Sequence, residues 1–374
     1  MQKLILLKRF YVSIIALTIF SLQLYSTAAY AETKPVKRDS VTGKYFGAVE
    51  TEYPSWFHDG FLDIKEDVTL ANSKGKRLMV LFTQDGCPYC NALVERNLAQ
   101  KDIEELVRSK FEVVTINLVG DRDVINIDGK RYTEKTFAEA LKVQFTPTML
   151  FYNDKGETIL RLNGYMHPEQ FKVALNYLVE KSNQLSFHDF LELNAPPAQA
   201  GKLNRESFFL LPPYSLQRQS TRKDQSTQKA KPIAVFFEQK DCPNCDVLHK
   251  QVLVDAETRK LIGKYDAVQL DMWNKTTVLT TPEGKTSTAR DWAKQLDIKY
   301  APTIVLFNEE GKEIIRTEAF FKIFHTQSLF DYVQSGAYKQ QPNFQRYISH
   351  RSEQLREQGK DVDIWRMKDE GASQ

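Results

Sequence analysis

The chain is 374 residues long, is 42% apolar and carries a formal net charge of +3. This length favours two domains over one, and the apolar content is sufficient for real cores. Positive and negative residues are interspersed without a dense basic stripe, which argues against a specialist in nucleic-acid binding.

Residues 1–31 have the pattern of a secretory signal peptide. Basic residues precede an apolar stretch over 10–24, and Ala29-Tyr30-Ala31 fits a small-x-small cleavage site. An uncleaved membrane anchor is the alternative, although the apolar run is short for a span. No later segment has about 18 consecutive apolar residues, so we expect an exported protein with no stable membrane span after signal removal.

Two short motifs contain every cysteine of the chain, "FTQDGCPYC" at 82–90 and "FEQKDCPNC" at 237–245. The cysteines are Cys87, Cys90, Cys242 and Cys245. An even cysteine count in an exported protein usually indicates disulfides. Pairs three residues apart make poor structural staples, however, because the smallest loops gain the least from closure. The pairs are therefore better candidates for redox chemistry.

The two motifs belong to a longer internal repeat with one fixed offset. Cys245 follows Cys90 by 155 positions, and the same offset relates Pro302 to Pro147 and Gly311 to Gly156. A second glycine pair, Gly129 and Gly284, also shares it. A shared offset without gaps indicates duplication of a whole domain.

Both copies predict the same elements in chain order. The first is a strand buried on both faces, at 77–82 and at 232–237, and the CxxC and a helix follow it. A second strand, at 112–118 and 266–272, precedes a polar turn and a helix led by Thr133 or Ser287. After Pro147 or Pro302 come a hairpin and a closing helix, with the helices over 168–180 and 326–334.

This order predicts an α/β fold with two tandem domains, each a mixed central sheet flanked by helices. We place the first domain at 45–185 and the second at 231–340. Residues 186–230 join them as a linker with a packed segment, of which 216–232 is polar and reads as flexible surface chain. Residues 53–76 supply an extra helix before the first strand, and 341–374 form a C-terminal helical tail.

The strand–turn–helix pattern places Cys87 and Cys242 at helix N-termini. Unpaired N–H groups and the positive end of the helix dipole stabilise a thiolate there, and such a CxxC cysteine can have its pKa lowered from about 8.5 to roughly 3.5–7.5. We therefore predict that Cys87 and Cys242 attack disulfides, and that the more buried Cys90 and Cys245 resolve the mixed disulfides.

A proline recurs at the same distance from each CxxC, preceded by Thr146 in the first copy and Ala301 in the second. A cis bond at Pro147 and Pro302 would place the backbone of the preceding residue beside the sulfurs, as an edge with which an incoming peptide can pair. An ordinary trans proline opening an edge strand is the alternative. The repetition favours cis, and we predict substrate-binding roles for these four residues.

The combination of CxxC and downstream proline resembles thioredoxin-fold domains, and "FTQDGCPYC" with "FTPTMLF" is close to the periplasmic SoxW-like thioredoxins. The tail "GAYKQQPNFQRYI" is similar to that family as well. The resemblance implies a periplasmic thiol–disulfide oxidoreductase without a cofactor. Its partners would be disulfide-bonded proteins and a membrane electron donor of the DsbD or CcdA type.

Two positions depart from the family pattern. The tryptophan before the first cysteine is replaced by Gly86 and Asp241, and the buried aspartate six residues before it is replaced by Leu81 and Phe236. The nearest acidic alternatives are Asp85 in the first copy and Glu238 in the second. We expect both of these carboxylates to be solvated on the surface.

Several alternatives stay open at this stage. The four cysteines could form a zinc site, although structural zinc usually takes pairs about 12–20 residues apart, and we predict no metal. A disulfide isomerase or oxidase would use the same residues. A peptide-binding, chaperone-like module is a third possibility, but it predicts a degenerate CxxC and both copies are intact. Histidines share no spacing between the copies, whereas aromatic residues near "CPYC" could line a peptide groove.

Overall fold

A computed structural model describes residues 42–58, 60–180, 185–194, 201–218 and 230–367. The predicted signal peptide lies outside these residues, as does most of the predicted flexible linker. Among the described residues, no helix combines the length and apolarity needed to cross a bilayer.

The first domain is built around a four-stranded mixed sheet. The strands in this part of the chain are β1 (Tyr45–Phe46), β2 (Leu62–Asp63), β3 (Arg77–Thr83), β4 (Phe111–Asn117), β5 (Asp123–Ile125), β6 (Arg131–Thr133), β7 (Thr148–Tyr152) and β8 (Thr158–Asn163). The sheet order is β4-β3-β7-β8, with β3 parallel to β4 and antiparallel to β7. The expected mixed sheet and the hairpin after Pro147 are therefore both present.

Helices cover both faces of this sheet. They are α1 (Ile64–Ser73), α2 (Pro88–Ala92), α3 (Lys101–Lys110), α4 (Glu134–Ala140), α5 (Pro168–Val179) and α6 (Phe187–Asn194). A π-helical turn over Leu93–Leu98 continues α2. Along β3, Leu78 and Val80 pack into one core and Met79 and Leu81 into the other, because successive side chains of a strand point to opposite faces.

The second domain repeats the arrangement. Its strands are β9 (Tyr214–Ser215), β10 (Ile233–Glu238), β11 (Asp266–Asp271), β12 (Val278–Thr280), β13 (Thr286–Thr288), β14 (Thr303–Phe307) and β15 (Glu313–Thr317). The order β11-β10-β14-β15 matches that of the first sheet. Its helices are α7 (Pro243–Val247), continued by a π-turn over Leu248–Val252, α8 (Ala256–Ile262), α9 (Ala289–Gln295) and α10 (Ile323–Gln334).

Three details correct or extend the sequence analysis. Thr133 caps α4 as predicted, but α9 is capped by Thr288 and not by Ser287. The polar turns at Asp128-Gly129 and Glu283-Gly284 belong to small hairpins, β5–β6 and β12–β13, which the sequence analysis did not predict. Leu216 begins the predicted surface linker yet is buried in the second core, because β9 pairs with β12 immediately before it.

The tail consists of α11 (Phe344–Glu357) and β16 (Val362–Asp363), and β16 pairs in parallel with β1. Phe344 and Ile348 of α11 are buried in the second core. The same helix contacts the first domain, since the Phe344 N–H donates to Gln144 Oε1 at 2.8 Å. The tail therefore ties the two domains together and also holds the segment before the first domain.

The two domains meet through equivalent residues. Asn163 donates to Glu318 at 2.6 Å, and a methyl group added at Gly164 would lie 2.5 Å from Cβ of Ala319. Each of these contacts joins positions that are 155 residues apart, which is the repeat offset. Such pairing is the signature of a two-fold, isologous interface, here made within one chain.

The cores interlock in the same symmetric way. Phe145 of the first domain belongs to the apolar cluster of the second domain, and its repeat equivalent Tyr300 belongs to that of the first. Phe145 lies against Phe321, with ring centroids 5.2 Å apart. Phe145 and Tyr300 each immediately precede a predicted cis-proline loop. This interface therefore lies beside the two CxxC motifs.

Candidate active sites

In the first domain, Cys87 is the N-cap residue of α2 and Pro88 occupies its first turn. The Cys90 N–H donates to Cys87 Sγ at 3.1 Å, because the sulfur takes the position in which a capping side chain satisfies a free helical N–H. Cys87 and Cys90 form a disulfide. Cys90 is the more buried of the two, at 1% exposure against 7%.

The second domain builds the same arrangement. Cys242 caps α7, Pro243 follows it, and the Cys245 N–H donates to Cys242 Sγ at 3.1 Å. Cys242 and Cys245 form the second disulfide, and Cys245 is again the more buried residue. Cys87 and Cys242 therefore both lie at a helix N-terminus, as predicted.

The Thr146–Pro147 and Ala301–Pro302 bonds are both cis, as the sequence analysis predicts. The carbonyl oxygen of Thr146 lies 3.6 Å from Cys87 Sγ, and that of Ala301 lies 3.7 Å from Cys242 Sγ. The two loops differ in one donor, because Thr146 Oγ1 donates to Cys87 Sγ at 3.3 Å and alanine has no hydroxyl group.

Tyr89, the third residue of "CPYC", is inserted into the second domain. Its hydroxyl accepts the Lys322 N–H at 2.9 Å and lies 3.5 Å from His325 Nδ1. Its ring packs edge-on against Trp365 at 5.0 Å between centroids. Burial raises the pKa of Tyr89 and lowers that of His325 to about 4, so both groups are neutral near pH 7.

Asn244, the equivalent residue of "CPNC", makes the symmetric contact with the first domain. Its side-chain N–H donates to Gln170 Oε1 at 3.2 Å and to the Tyr300 hydroxyl at 3.1 Å. Gln170 is the repeat equivalent of His325. Nothing in either motif identifies a partner, so the contacts by which these two variable residues hold the domains together cannot be predicted from the sequence.

The expectation that Glu238 is solvated is wrong. Glu238 is completely buried, and its carboxylate contacts His249 Nε2 at 3.0 Å and accepts from Gln269 at 3.0 Å. His249 Nδ1 lies 3.0 Å from Glu206 on the other side. Burial alone would lower the pKa of His249, but the two carboxylates outweigh it and raise the pKa.

The structure also places the positions at which the sequence departs from the family pattern. Leu81 and Phe236 are completely buried apolar residues, so neither copy has an acidic group at the position of the family's buried aspartate. Asp85 is exposed and accepts from Asn117 Nδ2 at 3.1 Å. Within the described segments, no group of three or more Cys, His, Asp or Glu side chains is placed to hold a metal ion.

A cavity of about 270 Å³ opens at Cys87. Its walls come from the CxxC motif, the Thr146 loop, the start of α10 and the tail helix α11. Near the second site, a cavity of about 180 Å³ includes Ala301 in its lining but neither cysteine. The surroundings of the two CxxC motifs therefore differ even though their central geometry is the same.

The chain thus has two mixed-sheet α/β domains in tandem, and in each of them a CxxC disulfide faces a cis-proline loop. This arrangement defines the class of proteins whose cysteine pairs alternate between dithiol and disulfide. A family model for the thioredoxin-like domain matches residues 64–179 and again 220–334, which together make up more than half of the chain. The chain therefore belongs to the thioredoxin-like domain family.

Comparison with solved structures finds thioredoxin-fold proteins. A thioredoxin-fold protein from Helicobacter pylori is 21% identical, with 37% of this chain and 86% of that chain covered and a TM-score of 0.31. A thioredoxin from Thermus thermophilus is 23% identical, with 37% of this chain and 89% of that chain covered and a TM-score of 0.25. A disulphide isomerase from Xylella fastidiosa is 16% identical, with 39% of this chain and 99% of that chain covered and a TM-score of 0.23. No curated protein matches the chain.

Proposed function

We propose that this chain is an exported, periplasmic thiol–disulfide oxidoreductase that reduces disulfides in proteins. The observation that carries the proposal is the geometry that occurs twice. In each domain, the sulfur of the first cysteine accepts an N–H at a helix start and lies within 3.7 Å of the carbonyl before a cis proline. Cys87 and Cys242 are the proposed nucleophiles, and Cys90 and Cys245 are proposed to resolve the mixed disulfides.

The chemistry proceeds in two exchange steps. The thiolate of Cys87 attacks one sulfur of a substrate disulfide, which forms a mixed disulfide and releases the other substrate sulfur as a thiolate. The Cys90 thiolate then attacks Cys87 Sγ, which closes the Cys87–Cys90 disulfide and releases the second substrate thiol. Two electrons pass to the substrate, and a dithiol donor must return them to the protein.

The features around each sulfur support these roles. The Cys90 N–H and the Thr146 hydroxyl both point at Cys87 Sγ and stabilise negative charge on it. The backbone of Thr146 and Ala301 offers the edge on which an extended substrate segment pairs. The dithiol donor we propose is a membrane protein of the DsbD or CcdA type.

The test uses cysteine variants in an insulin-reduction assay with dithiothreitol as donor. We expect the Cys87→Ser, Cys242→Ser double variant to lose reduction. Cys90→Ser and Cys245→Ser should instead accumulate mixed disulfides, because the nucleophile is kept and the resolving thiol is removed. A double nucleophile variant that still reduces insulin contradicts the proposal. Single-site variants show whether the two pairs act in series or in parallel.

The direction of electron flow is tested by the reduction potentials of the two pairs against glutathione. Values near −270 mV, the scale of thioredoxin, agree with a reductase. Values near −120 mV, the scale of the strongest oxidising catalysts, contradict the reductase and favour an oxidase.

A further inference from the structure

Both redox sites are covered in the oxidised protein that the structure describes. Cys87 and Cys242 are 7% and 5% exposed, and the residues before the cis prolines, Thr146 and Ala301, are 8% and 6% exposed. A protein partner has to bring its own sulfur to the first cysteine and lay its backbone along the residue before the cis proline. None of these groups lies at an open surface, so a protein partner has no room to do either.

The second domain covers the first site. Phe321 and Phe324 of that domain line the cavity at Cys87. Phe145, which directly precedes the first cis-proline loop, packs against Phe321 with ring centroids 5.2 Å apart. The tail helix α11 lines the same cavity and is anchored in the second core by Ile348. The cover over Cys87 is therefore built on the second domain and its tail.

The first domain covers the second site in return. The side-chain N–H of Asn244, within the CxxC motif, donates to Gln170 Oε1 on α5 at 3.2 Å. Tyr300 directly precedes Ala301 and packs into the apolar cluster of the first domain. Met166 and Gln170 of the first domain line the same cavity as Ala301. Each domain therefore lies over the redox site of the other.

The contacts between repeat-equivalent residues hold this cover in place. Gly164 lies against Ala319, and its N–H donates to the Pro147 carbonyl at 2.7 Å, so this contact is attached directly to the first cis proline. Asn163 Nδ2 donates to Glu318 Oε2 at 2.6 Å, and Glu318 is buried. A buried carboxylate is tolerated only while it is paired or hydrogen-bonded. A second negative charge at Asn163 would therefore disturb the interface.

The cover leaves space for small molecules only. The cavity at Cys87 has a volume of about 270 Å³, which is at the lower end of the range for small-ligand pockets. A thiol compound of a few heavy atoms fits such a space, whereas the surface of a folded protein does not. Access to the first sulfur is therefore decided by the size of the reaction partner.

We propose that the two domains mask each other's dithiols, and that a protein partner exchanges electrons with either pair only after the interface between the domains has opened. Small dithiols reach Cys87 without this opening. The rate with a protein partner is accordingly reduced by the fraction of the chain that is open. The inference rests on the proposed function, and it concerns the regulation of the same two sites.

The test is the reduction of the oxidised full chain by two dithiols of different size, dithiothreitol and a reduced single-domain thioredoxin, each in excess. A thiolate of the probe attacks Cys87 Sγ, which forms a mixed disulfide and releases Cys90 as a thiolate. The second thiolate of the probe then closes the probe's own disulfide and releases Cys87, so two electrons pass to the chain. Cys242 and Cys245 react in the same way. Acid quenching, alkylation and mass spectrometry of the peptides count the thiols of each pair.

Two variants open the interface by different means, at pH 8. Asn163→Asp places a carboxylate against that of Glu318, and Arg316, which lies 3.9 Å from Glu318, is already paired with Glu313. The matched control adds Glu318→Gln to Asn163→Asp, because a glutamine amide can donate to the aspartate. Ala319→Arg acts by size and not by repulsion, since Ala319 is buried in the interface.

We expect Asn163→Asp and Ala319→Arg to raise the ratio of the thioredoxin rate to the dithiothreitol rate about tenfold at both cysteine pairs, because one interface covers both. The control should return to the parent ratio. A parent ratio in both opening variants, or a rise at one pair alone, overturns the mutual masking. If dithiothreitol reduces the chain and the ratio does not rise, this inference alone fails. A chain whose disulfides dithiothreitol does not reduce refutes the proposed function as well.

Discussion

The substitution Gly164→Ala tests whether the equivalent residues of the two domains are in contact as the structure shows. Gly164 has φ of 85°, and an added Cβ would lie 2.5 Å from Cβ of Ala319, which is closer than two methyl groups can approach. Gly129 provides a matched control, because its φ is 82° and an added Cβ meets nothing within 4 Å.

The two variants share one cost and differ in another. A left-handed backbone conformation costs an L-residue about 1–2 kcal/mol, and both alanines bear it. Gly164→Ala must also force the interface apart, and overpacking costs roughly 1–3 kcal/mol more. We therefore expect Gly164→Ala to lower the free energy of unfolding by about 2–5 kcal/mol and Gly129→Ala by about 1–2 kcal/mol.

The assay is urea unfolding of the oxidised proteins, followed by circular dichroism, with the midpoint and slope of each transition fitted. Ala319→Gly removes the opposing methyl group, so it should recover part of the stability in the Gly164→Ala background, which a double-mutant cycle measures as a coupling free energy. Equal losses in Gly164→Ala and Gly129→Ala, together with zero coupling, would refute the symmetric contact.

Two further predictions concern buried polar groups. Tyr89→Phe keeps the ring but leaves the Lys322 N–H without its acceptor, so we expect a loss of about 1–3 kcal/mol in urea unfolding, and a variant as stable as the parent would contradict the docking of this residue. His249→Gln removes the imidazole between Glu206 and Glu238. Because the folded pKa of His249 is raised, its pairing stabilises the protein fully below the unfolded value of about 6.5, and this contribution is lost as the pH rises through the folded pKa. The stability difference between parent and His249→Gln should accordingly be larger at pH 5.5 than at pH 9, and a difference independent of pH would show that His249 is not charged there.

The central geometry of both sites could be predicted from the sequence because local signals determine it. A proline after Cys87 and after Cys242 suits the first helical turn, and the repeat of a second proline at one offset indicated the cis bonds. The same offset gives Thr288, the repeat equivalent of Thr133, as the cap of α9, whereas Ser287 is the residue predicted from the sequence.

The surroundings of the sites could not be predicted in this way. Tyr89 contacts residues more than 230 positions further along the chain, and no periodicity of either segment identifies the other. An isolated carboxylate is rarely buried, which favours a surface position for Glu238. It is buried here because Gln269 and His249 satisfy it, and Glu206 from the packed segment completes the cluster.

The interface between equivalent residues has a consequence for how the two dithiols can diverge. In a dimer of identical chains, every substitution near the axis is introduced twice, and one side chain must suit both of its roles. Here Tyr89 and Asn244 occupy the same place in their motifs, and they lie opposite His325 and Gln170 respectively. A homodimer would have only two residue types at these four positions, whereas this chain has four. Joining the halves in one polypeptide lets each motif adapt to its own neighbour without disturbing the other.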